Sequence, residues 1–398
     1  MKFSNRIQQV NPSMTLAIDA KAKEMKANGE DVIGFGAGEP DFDTPDRIKQ
    51  AGIRAIEENE THYTPVGGSN NLKDAIITKL KRDNGLDYER NQILVSCGAK
   101  QSFYNLAQVL WEAGDEVIIP APYWVSFPEM VVLAGAKPVI IETNSTNQFK
   151  VTVEQIKKVL TPNTRAILIN SPSNPTGSAY EKSELEAIAA FALENNLLVI
   201  SDEIYEWIVF DGFKHTSIAS LSKEAQKNCV VINGVSKCYA MTGWRIGYIA
   251  ADAEIVKQVT KLQGQSTSGP CSISQAASVE ALIGPHDDVM AMTREFEKRR
   301  DIMVGLLRDI PGVSCNIPNG SFYTFPDFSA LYGKKDANGK VLQGSLDFTE
   351  YLLTAKKIAI VPGIAFGADA NARMSFATSL DKIEEGVKRI KEAVALLK

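Results

Sequence analysis

The chain has 398 residues, of which 44% are hydrophobic and 23% charged, and its formal net charge is −5. This length and composition predict a globular protein of about two domains. The acidic balance, with a sequence pI near 5.5 and no basic stripe, argues against a nucleic-acid partner.

From Pro45 onward, short β-rich runs alternate with amphipathic helical stretches. Thr44 and Pro45 have the residue types of an N-cap and a first-turn proline, and they predict a helix to about Asn59. Ser69 is predicted to cap a helix that ends at Gly85. Unbroken Val/Ile/Leu runs with helices between them are typical of a mostly parallel sheet buried on both faces. The predicted strands are QILVS, EVIIP, KPVII, RAILIN, LLVISD and CVVIN, and AKQSFYNLAQVLW and KSELEAIAAFALENN are predicted helices.

The pattern changes near Gly284 and Pro285, where the regular alternation gives way to long helices with scattered short strands. Helices are predicted at about 272–283, 286–309 and 381–397, and strands at SFYTF, IAIVP and ARMSF. We therefore expect an α/β protein with a large domain over residues 45–285. A smaller α+β domain would combine residues 1–44 with residues 286–398.

Cysteine and histidine are distributed in a way that excludes several kinds of site. The five cysteines are scattered and never form CxxC, which is typical of reduced cytoplasmic thiols and argues against a disulfide scaffold or zinc site. The three histidines are far apart, so neither a histidine-ligated metal nor a Ser-His-Asp triad is expected. No apolar run spans a membrane, and the N-terminal stretch lacks the apolar core of a secretory signal. We expect a cytoplasmic protein without a membrane partner or metal.

Polar side chains follow the predicted strands at the edge where open α/β sheets bind ligands. RAILIN leads to Asn174, LLVIS to Asp202 and Tyr205, and CVVIN to Lys237. QILVS leads to CGAKQ, whose small residues open a helix with free N–H groups for a phosphate. Arg245 lies eight positions after Lys237 in NGVSKCYAMTGWRIGY, a stretch without other charges. Together these groups predict a site for a phosphorylated cofactor that reacts through an amine.

Each of these features alone has a simpler interpretation. A single lysine is usually a solvated surface charge, and an aspartate at a strand end is as often a cap or turn former. Asn-Pro-x-Gly is usually a turn, and Trp124 or Tyr63 taken singly would be assigned to packing. Arg373 taken singly would be a surface ion pair. The complete set in one order, at consistent spacings, is what favours a site.

Seven motifs together point to one family. They are GAGEPDFDTP (36–45), HYTPVGG (62–68), APYW (121–124), NPTG (174–177), SDEIY (201–205), SKCYAMTGWRIGY (236–248) and ARMSFA (372–377). Across nearly the whole chain, this set resembles the class I and II aminotransferases, aspartate aminotransferase-like enzymes of fold type I that use pyridoxal 5′-phosphate. The resemblance implies a large domain with a mostly parallel seven-stranded sheet flanked by helices, plus a smaller α+β domain.

The resemblance implies a role for each candidate residue. Lys237 would hold the cofactor as a Schiff base and move the proton, and Asp202 would pair with the ring nitrogen. Asn174 and Tyr205 would hydrogen-bond the phenolic oxygen, so that Lys237, Asp202 and Tyr205 are the implied catalytic residues. The other implied cofactor ligands are Trp124 on the ring, Arg245, Gly98, Ala99 and Lys100 at the phosphate, and Tyr63 from the neighbouring subunit of a homodimer.

The implied substrates are amino acids and 2-oxo acids. Arg373 would bind the α-carboxylate bidentately, and Lys100 with Thr15 would bind the distal carboxylate of a dicarboxylic substrate. We therefore expect ping-pong transfer between aspartate and 2-oxoglutarate. Relatives with the same threonine and lysine also accept prephenate, so an aspartate/prephenate enzyme stays open, as does an alanine or aromatic aminotransferase. The implied substrate-binding residues are Gly38, Trp124, Asn174, Arg373, Lys100 and Thr15.

One position departs from the family pattern. Many relatives carry a serine three residues before the lysine, where it contacts the phosphate, and here that position is Gly234. Cofactor binding is expected to be retained, with this hydroxyl contact in doubt.

Two other functions fit the sequence less well, and a third is not distinguished by the site residues. In GFGAGE the glycines are spaced GxGxG and Pro40 interrupts any following helix, so a nicotinamide-dependent dehydrogenase is disfavoured. A non-catalytic regulator on the same scaffold would need a DNA-binding region, and no basic patch indicates one. A β-lyase or synthase would share Lys237, Asp202 and Arg373, and those residues do not distinguish it.

Overall fold

The computed structural model describes residues 1–398, with side chains for all of them except Asp19. Its strands are β1 Ile33–Gly34, β2 Ile93–Ser96, β3 Glu116–Ala121, β4 Lys137–Glu142, β5 Thr164–Asn170, β6 Leu198–Asp202, β7 Cys229–Gly234, β8 Gly247–Ala250, β9 Tyr323–Thr324, β10 Ile358–Ala359, β11 Val361–Pro362 and β12 Ala372–Ser375. Its α-helices are α1 Asn5–Gln8, α2 Met14–Ala27, α3 Asp46–Glu57, α4 Asn70–Asn84, α5 Ala99–Leu110, α6 Ser126–Ala134, α7 Val153–Val159, α8 Lys182–Glu194, α9 Lys223–Lys227, α10 Ala253–Gly264, α11 Ser272–Ile283, α12 Asp287–Arg308, α13 Ser345–Lys356 and α14 Leu380–Ala395. Among the described residues, no helix combines the length and apolarity needed to cross a bilayer.

A seven-stranded sheet with the order β2-β8-β7-β6-β5-β3-β4 forms the centre of the fold. β8 runs antiparallel to both of its neighbours, and the other pairs are parallel. The predicted mostly parallel sheet and its strands are confirmed. β8 was not predicted, because its four residues, GYIA, follow the cation-bearing stretch directly and form no long apolar run.

Both faces of the inner strands of the central sheet are buried, which explains their unbroken apolar runs, whereas the edge strand β4 is partly exposed. In β5, Ile167 and Ile169 pack into one core cluster, and Ala166 and Leu168 pack into a second cluster on the opposite face. This alternation follows from the period of two residues in a strand. Each fully buried Ile or Leu side chain contributes about 1.5–3 kcal/mol, so the sheet is a rigid base for loops at its carboxyl edge.

Two smaller sheets join distant parts of the chain. β11, β12 and β9 form an antiparallel sheet, and β1 pairs in parallel with β10. Ile33 of β1 lies opposite Ile358, so the N-terminal segment packs with C-terminal strands. The division into a domain of residues 45–285 and a domain of residues 1–44 with 286–398 stays a prediction.

The predicted helix caps have different outcomes. The Ser69 side chain accepts from the backbone N–H of Leu72, and Gly85 ends α4 with a left-handed φ of 67°, as predicted. The Thr44 cap is wrong, because Pro45 is the N-cap residue of α3 and no side chain caps it.

A tertiary contact explains the different role of Thr44. Its hydroxyl donates to the carbonyl of Ala240 at 2.7 Å and accepts from the indole N–H of Trp244 at 3.0 Å. These bonds compete with capping, and they hold the segment before α3 against the loop between β7 and β8.

Two helical glycines offer a matched test of how closely α14 packs against Phe35. A Cβ at Gly386 in α14 would overlap the buried Phe35 ring, whereas a Cβ at Gly305 in α12 meets no atom within 4 Å. Gly386→Ala should therefore lower the free energy of unfolding by about 1–3 kcal/mol. Gly305→Ala should raise it by about 0.5–1 kcal/mol. Urea titration of both variants measures these changes. Equal changes in the free energy of unfolding would contradict the close packing of α14 on Phe35.

Candidate active site

A cavity of about 530 Å³ lies at the carboxyl edge of the central sheet, beside Asn170 of β5, Asp202 of β6 and Ile232 of β7. Its size is in the range of small-molecule sites. Most of the predicted site residues line it. They are Thr15, Gly38, Ala99, Lys100, Trp124, Asn174, Asp202, Tyr205, Lys237, Arg245 and Arg373.

Two predicted residues do not line this cavity. Gly98 is the N-cap residue of α5, with a φ of 85°, and lies so close to Arg245 that a Cβ there would overlap the guanidinium group. The Tyr63 side chain is fully exposed. It contributes nothing to the cavity of its own chain, and its role toward a second subunit stays a prediction.

Asp202 is the last residue of β6 and is buried. Its carboxylate accepts from the Ile204 N–H at 3.2 Å, and burial raises its pKa to about 7. Asn170 donates to the Asp202 backbone carbonyl at 3.1 Å and accepts from the Asn174 N–H at 2.8 Å. Asn170 therefore positions Asp202 and Asn174, although the sequence indicated it only as the last residue of a predicted strand.

Lys237 enters the cavity from the loop after β7. Its Nζ donates to the backbone carbonyl of Gly38. Burial lowers the pKa of Lys237 to about 8, the carboxylate of Glu39 raises it, and the nearby Arg373 and Arg245 lower it again. A larger fraction of this amine is therefore neutral near pH 7 than for an ordinary lysine.

Arg245 lies at the N-terminal end of α5. Its backbone is left-handed, with a φ of 56°, and its guanidinium group donates to the carbonyls of Thr242 at 2.8 Å and Cys97 at 3.2 Å. Among the described side chains, no carboxylate forms an ion pair with it. Gly247 of β8 packs so closely on the start of α5 that a Cβ would overlap the backbone there. Free helix N–H groups beside an unpaired cation suit a phosphate.

The structure gives a reason for Gly234, the position that departs from the family pattern. Gly234 ends β7, and a Cβ there would lie 2.8 Å from the carbonyl oxygen of Ile246 and 2.9 Å from the Cα of Gly247. The close approach of β7 and β8 leaves no room for a side chain at this position. Ser236, which lines the cavity, is the nearby residue that offers a hydroxyl.

Arg373 in β12 is a buried cation. Its Nη1 donates to Asn174 Oδ1 at 3.0 Å and its Nη2 to the Gly36 carbonyl at 2.8 Å. Its Nε is also buried and makes no hydrogen bond to any residue whose side chain is described. Arg373 lines the cavity, and none of the described carboxylates forms an ion pair with it, so its guanidinium group suits a carboxylate ligand.

Lys100 and Thr15 both line the cavity. The Lys100 ammonium group is 4.9 Å from the centre of the Trp124 ring, and burial lowers its pKa. Thr15 is in the first turn of α2, and its hydroxyl lies 2.8 Å from that of Ser13, the N-cap residue. Arg373 lines the same cavity as these two predicted residues.

Several residues of the cavity were not predicted. Sequence patterns placed Tyr323 only in a strand, and Glu39 and Thr242 only within longer motifs. Ser236 is adjacent to Lys237, and this adjacency predicts no direction for its side chain. They come from segments whose side-chain directions depend on tertiary packing.

Comparison with known proteins identifies the family. A sequence model described as aminotransferase class I and II matches residues 30–390. The chain belongs to this family. It is 51% identical over 389 residues to the aspartate aminotransferase of Bacillus sp. strain YM-2, covering 98% of each chain. It is 47% identical over 396 residues to a Rickettsia bellii protein named "Probable aspartate/prephenate aminotransferase", covering 99% of each.

The solved structures agree with this family. The crystal structure of the aspartate aminotransferase from Rhizobium meliloti has a TM-score of 0.97 and 43% identity to the chain, with 100% of both chains covered. The fold is therefore that of the fold type I aminotransferases.

Class I and II aminotransferases depend on pyridoxal 5′-phosphate, and the cavity residues fit this group. A buried carboxylate whose pKa is raised, that of Asp202, suits a cationic ring nitrogen. A lysine whose pKa is lowered, Lys237, suits an aldehyde. The unpaired Arg245 and the N-terminus of α5 suit the phosphate.

The lowered pKa of Lys237 can be tested in the cofactor-free protein. Only the neutral amine reacts with an amine-directed reagent, so modification of Lys237 should be half-maximal near pH 8. Glu39→Gln removes a carboxylate that raises this pKa and should move the midpoint below pH 8. Peptide mass spectrometry of modification rates gives the midpoints. Glu129→Gln, on α6, is the control, and a midpoint near 10.5 in all proteins would contradict the described burial.

Proposed function

We propose that this aminotransferase moves the amino group of L-aspartate to 2-oxoglutarate, giving oxaloacetate and L-glutamate in a ping-pong mechanism. The observation that carries the proposal is one cavity that combines the cation of Arg373 with Lys237 and Asp202, whose pKa values are shifted by burial. The relatives named aspartate aminotransferase support aspartate as the donor.

The cofactor would be held at three places. Asp202 would face the ring nitrogen, with Asn174 and Tyr205 at the phenolic oxygen and the Trp124 ring against the pyridine. The phosphate would be held by Arg245 and the backbone of Gly98, Ala99 and Lys100. When bound, pyridoxal 5′-phosphate supplies an aldehyde that takes up the amino group and a ring that withdraws electrons.

The chain's own residues then bind the substrate and move a proton. Arg373, with Asn174, would bind the α-carboxylate, which fixes the position of the α-carbon. Lys237 Nζ, of which a larger fraction is neutral near pH 7 than for an ordinary lysine because its pKa is lowered to about 8, would take the proton from that α-carbon and return it later. Asp202 would remain ionised beside a cationic nitrogen, because an adjacent cation offsets the effect of burial.

The distal carboxylate of aspartate would be bound by Lys100 and Thr15. Lys100 is exposed, so its ammonium group keeps access to water without a ligand. A charge-assisted bond to the distal carboxylate would still favour aspartate over alanine and aromatic donors. The second candidate is an aspartate/prephenate aminotransferase. It is favoured by the name of the Rickettsia bellii relative, at 47% identity over nearly the whole chain.

The proposed enzyme is a cytoplasmic homodimer whose subunits share active sites. Tyr63 would reach the phosphate of the neighbouring subunit, and the complete exposure of this aromatic side chain supports a contact outside its own chain. The five unpaired cysteines support a reducing location. The domain division at residues 45–285 remains part of the proposal.

The role of Lys237 has a direct chemical test. Borohydride reduction of protein saturated with pyridoxal 5′-phosphate should add the cofactor mass to the peptide that contains Lys237. Lys237→Ala should abolish this labelling and lower kcat by at least about a thousandfold, since the proton carrier is lost. Lys257→Ala, an exposed lysine on α10 that pairs with Glu254, is the control and should retain both. Labelling of another lysine in the unmodified protein would contradict the assignment.

The role of Lys100 is tested by the amino-donor preference of a Lys100→Ala variant. Lys100→Ala should lower kcat/KM for aspartate by about 10- to 100-fold, because a charge-assisted bond to the distal carboxylate is lost. The value for alanine should change less than about threefold, since alanine has no such carboxylate. Steady-state kinetics with aspartate, alanine, tyrosine and arogenate, and with prephenate as acceptor, give these ratios.

The control for Lys100 is Lys157→Ala, an exposed ion-paired lysine on α7, which should change no ratio. An unchanged aspartate preference in Lys100→Ala would show that this lysine does not bind the distal carboxylate.

A further inference from the structure

Tyr323 touches two of the proposed ligand-binding residues at once. It lies in β9, next to β12, the strand that carries Arg373. Its side chain lines the cavity and is otherwise buried. Its hydroxyl oxygen is 3.2 Å from that of Tyr205. The guanidinium carbon of Arg373 is 4.4 Å from the centre of its ring. Tyr323 therefore links the side proposed for the cofactor with the side proposed for the substrate carboxylate.

Only one of the two phenols can donate the hydrogen bond that joins them. Burial raises the pKa of both Tyr205 and Tyr323, so each keeps its single proton at neutral pH. If Tyr205 donated to Tyr323, it would have no proton for an oxygen in the cavity. If Tyr323 donates to Tyr205, the Tyr205 proton is free for such an acceptor, and the chain of two bonds strengthens it as a donor.

The ring of Tyr323 acts on Arg373 by a separate contact. The guanidinium group is fixed at its edge by bonds to Asn174 and Gly36, and the ring of Tyr323 covers its face. Phe366 lies 5.1 Å from the same group. Aromatic faces attract a guanidinium group and hold its plane, which matters for bidentate binding of a carboxylate.

We propose that Tyr323 is a positioning residue for both ligands of the proposed aminotransferase. Its hydroxyl donates to Tyr205, which directs the Tyr205 proton to the phenolic oxygen of the cofactor. Its ring fixes the plane in which Arg373 receives the α-carboxylate. The inference rests on the proposed function, and it adds Tyr323 as a residue that acts through Tyr205 and Arg373.

The two contacts can be separated in the enzyme loaded with pyridoxal 5′-phosphate. Tyr323→Phe removes only the hydroxyl, and Tyr323→Leu also removes the ring. The first readout is the midpoint of the pH titration of visible absorbance, without substrate. A donor to the phenolic oxygen stabilises its anionic form, so Tyr205→Phe should raise this midpoint by about one unit. Tyr323→Phe should raise it by about 0.3 unit, the share that a cooperative bond adds.

The second readout is the dissociation constant of succinate, an unreactive dicarboxylate. Tyr323→Phe should leave it within about twofold, and Tyr323→Leu should raise it about fivefold, because the stacked ring is lost. In the double variant Tyr205→Phe/Tyr323→Phe, the titration midpoint should equal that of Tyr205→Phe alone, since the hydroxyl acts only through Tyr205. Tyr351→Phe, a buried phenol that donates to the distant Ala393 carbonyl, is the control and should change neither readout.

Two results would overturn the inference. One is a Tyr323→Phe midpoint equal to that of the unmodified enzyme. The other is a Tyr323→Phe shift that persists unchanged in the Tyr205→Phe background. The Phe variant keeps the size of the side chain, so its outcome stands even if the Leu variant does not fold. Absence of any cofactor spectrum in the unmodified enzyme would overturn the proposed function itself, which is a distinguishable failure.

Discussion

Burial of two opposite charges at one edge of the central sheet is the constraint on which the site depends. Asp202 is buried and Lys237 is half-buried at the cavity, and burial disfavours the charged form of each. Their mutual attraction lowers the pKa of Asp202 and raises that of Lys237, which offsets only part of the effect. Side chains in this condition are typical of functional sites, because a bound ligand recovers the cost.

The antiparallel strand β8 is the structural solution that brings a second cation to this edge. It lies between β7, which leads to Lys237, and β2, which leads to α5. Glycines at 234 and 247 allow β7, β8 and the start of α5 to approach without intervening side chains. This close packing places Arg245 beside the helix N-terminus, and it also excludes a serine from the position that many relatives use. The departure from the family pattern is thus a consequence of backbone distance.

The sequence was most informative where burial imposes a simple pattern. The strands buried on both faces were predicted from their unbroken apolar runs, and residues such as Asp202 followed because a strand end fixes their place. β8 was missed because it is short, and Thr44 was misassigned because a tertiary bond competes with capping. Tyr323 and Asn170 could not be found, since their contacts with Tyr205 and with the Asp202 carbonyl join segments far apart in the chain and depend on side-chain direction.

The central claim is that one cavity exchanges an amino group through a bound cofactor, and a single half-reaction tests it. The enzyme saturated with pyridoxal 5′-phosphate is freed of excess cofactor and mixed with aspartate in the absence of any 2-oxo acid. Its absorbance should change to that of the amine form of the cofactor, and oxaloacetate should appear in an amount equal to the active sites. Addition of 2-oxoglutarate should restore the original spectrum. An unchanged spectrum, or oxaloacetate formed without the amine form of the cofactor, would contradict the central claim.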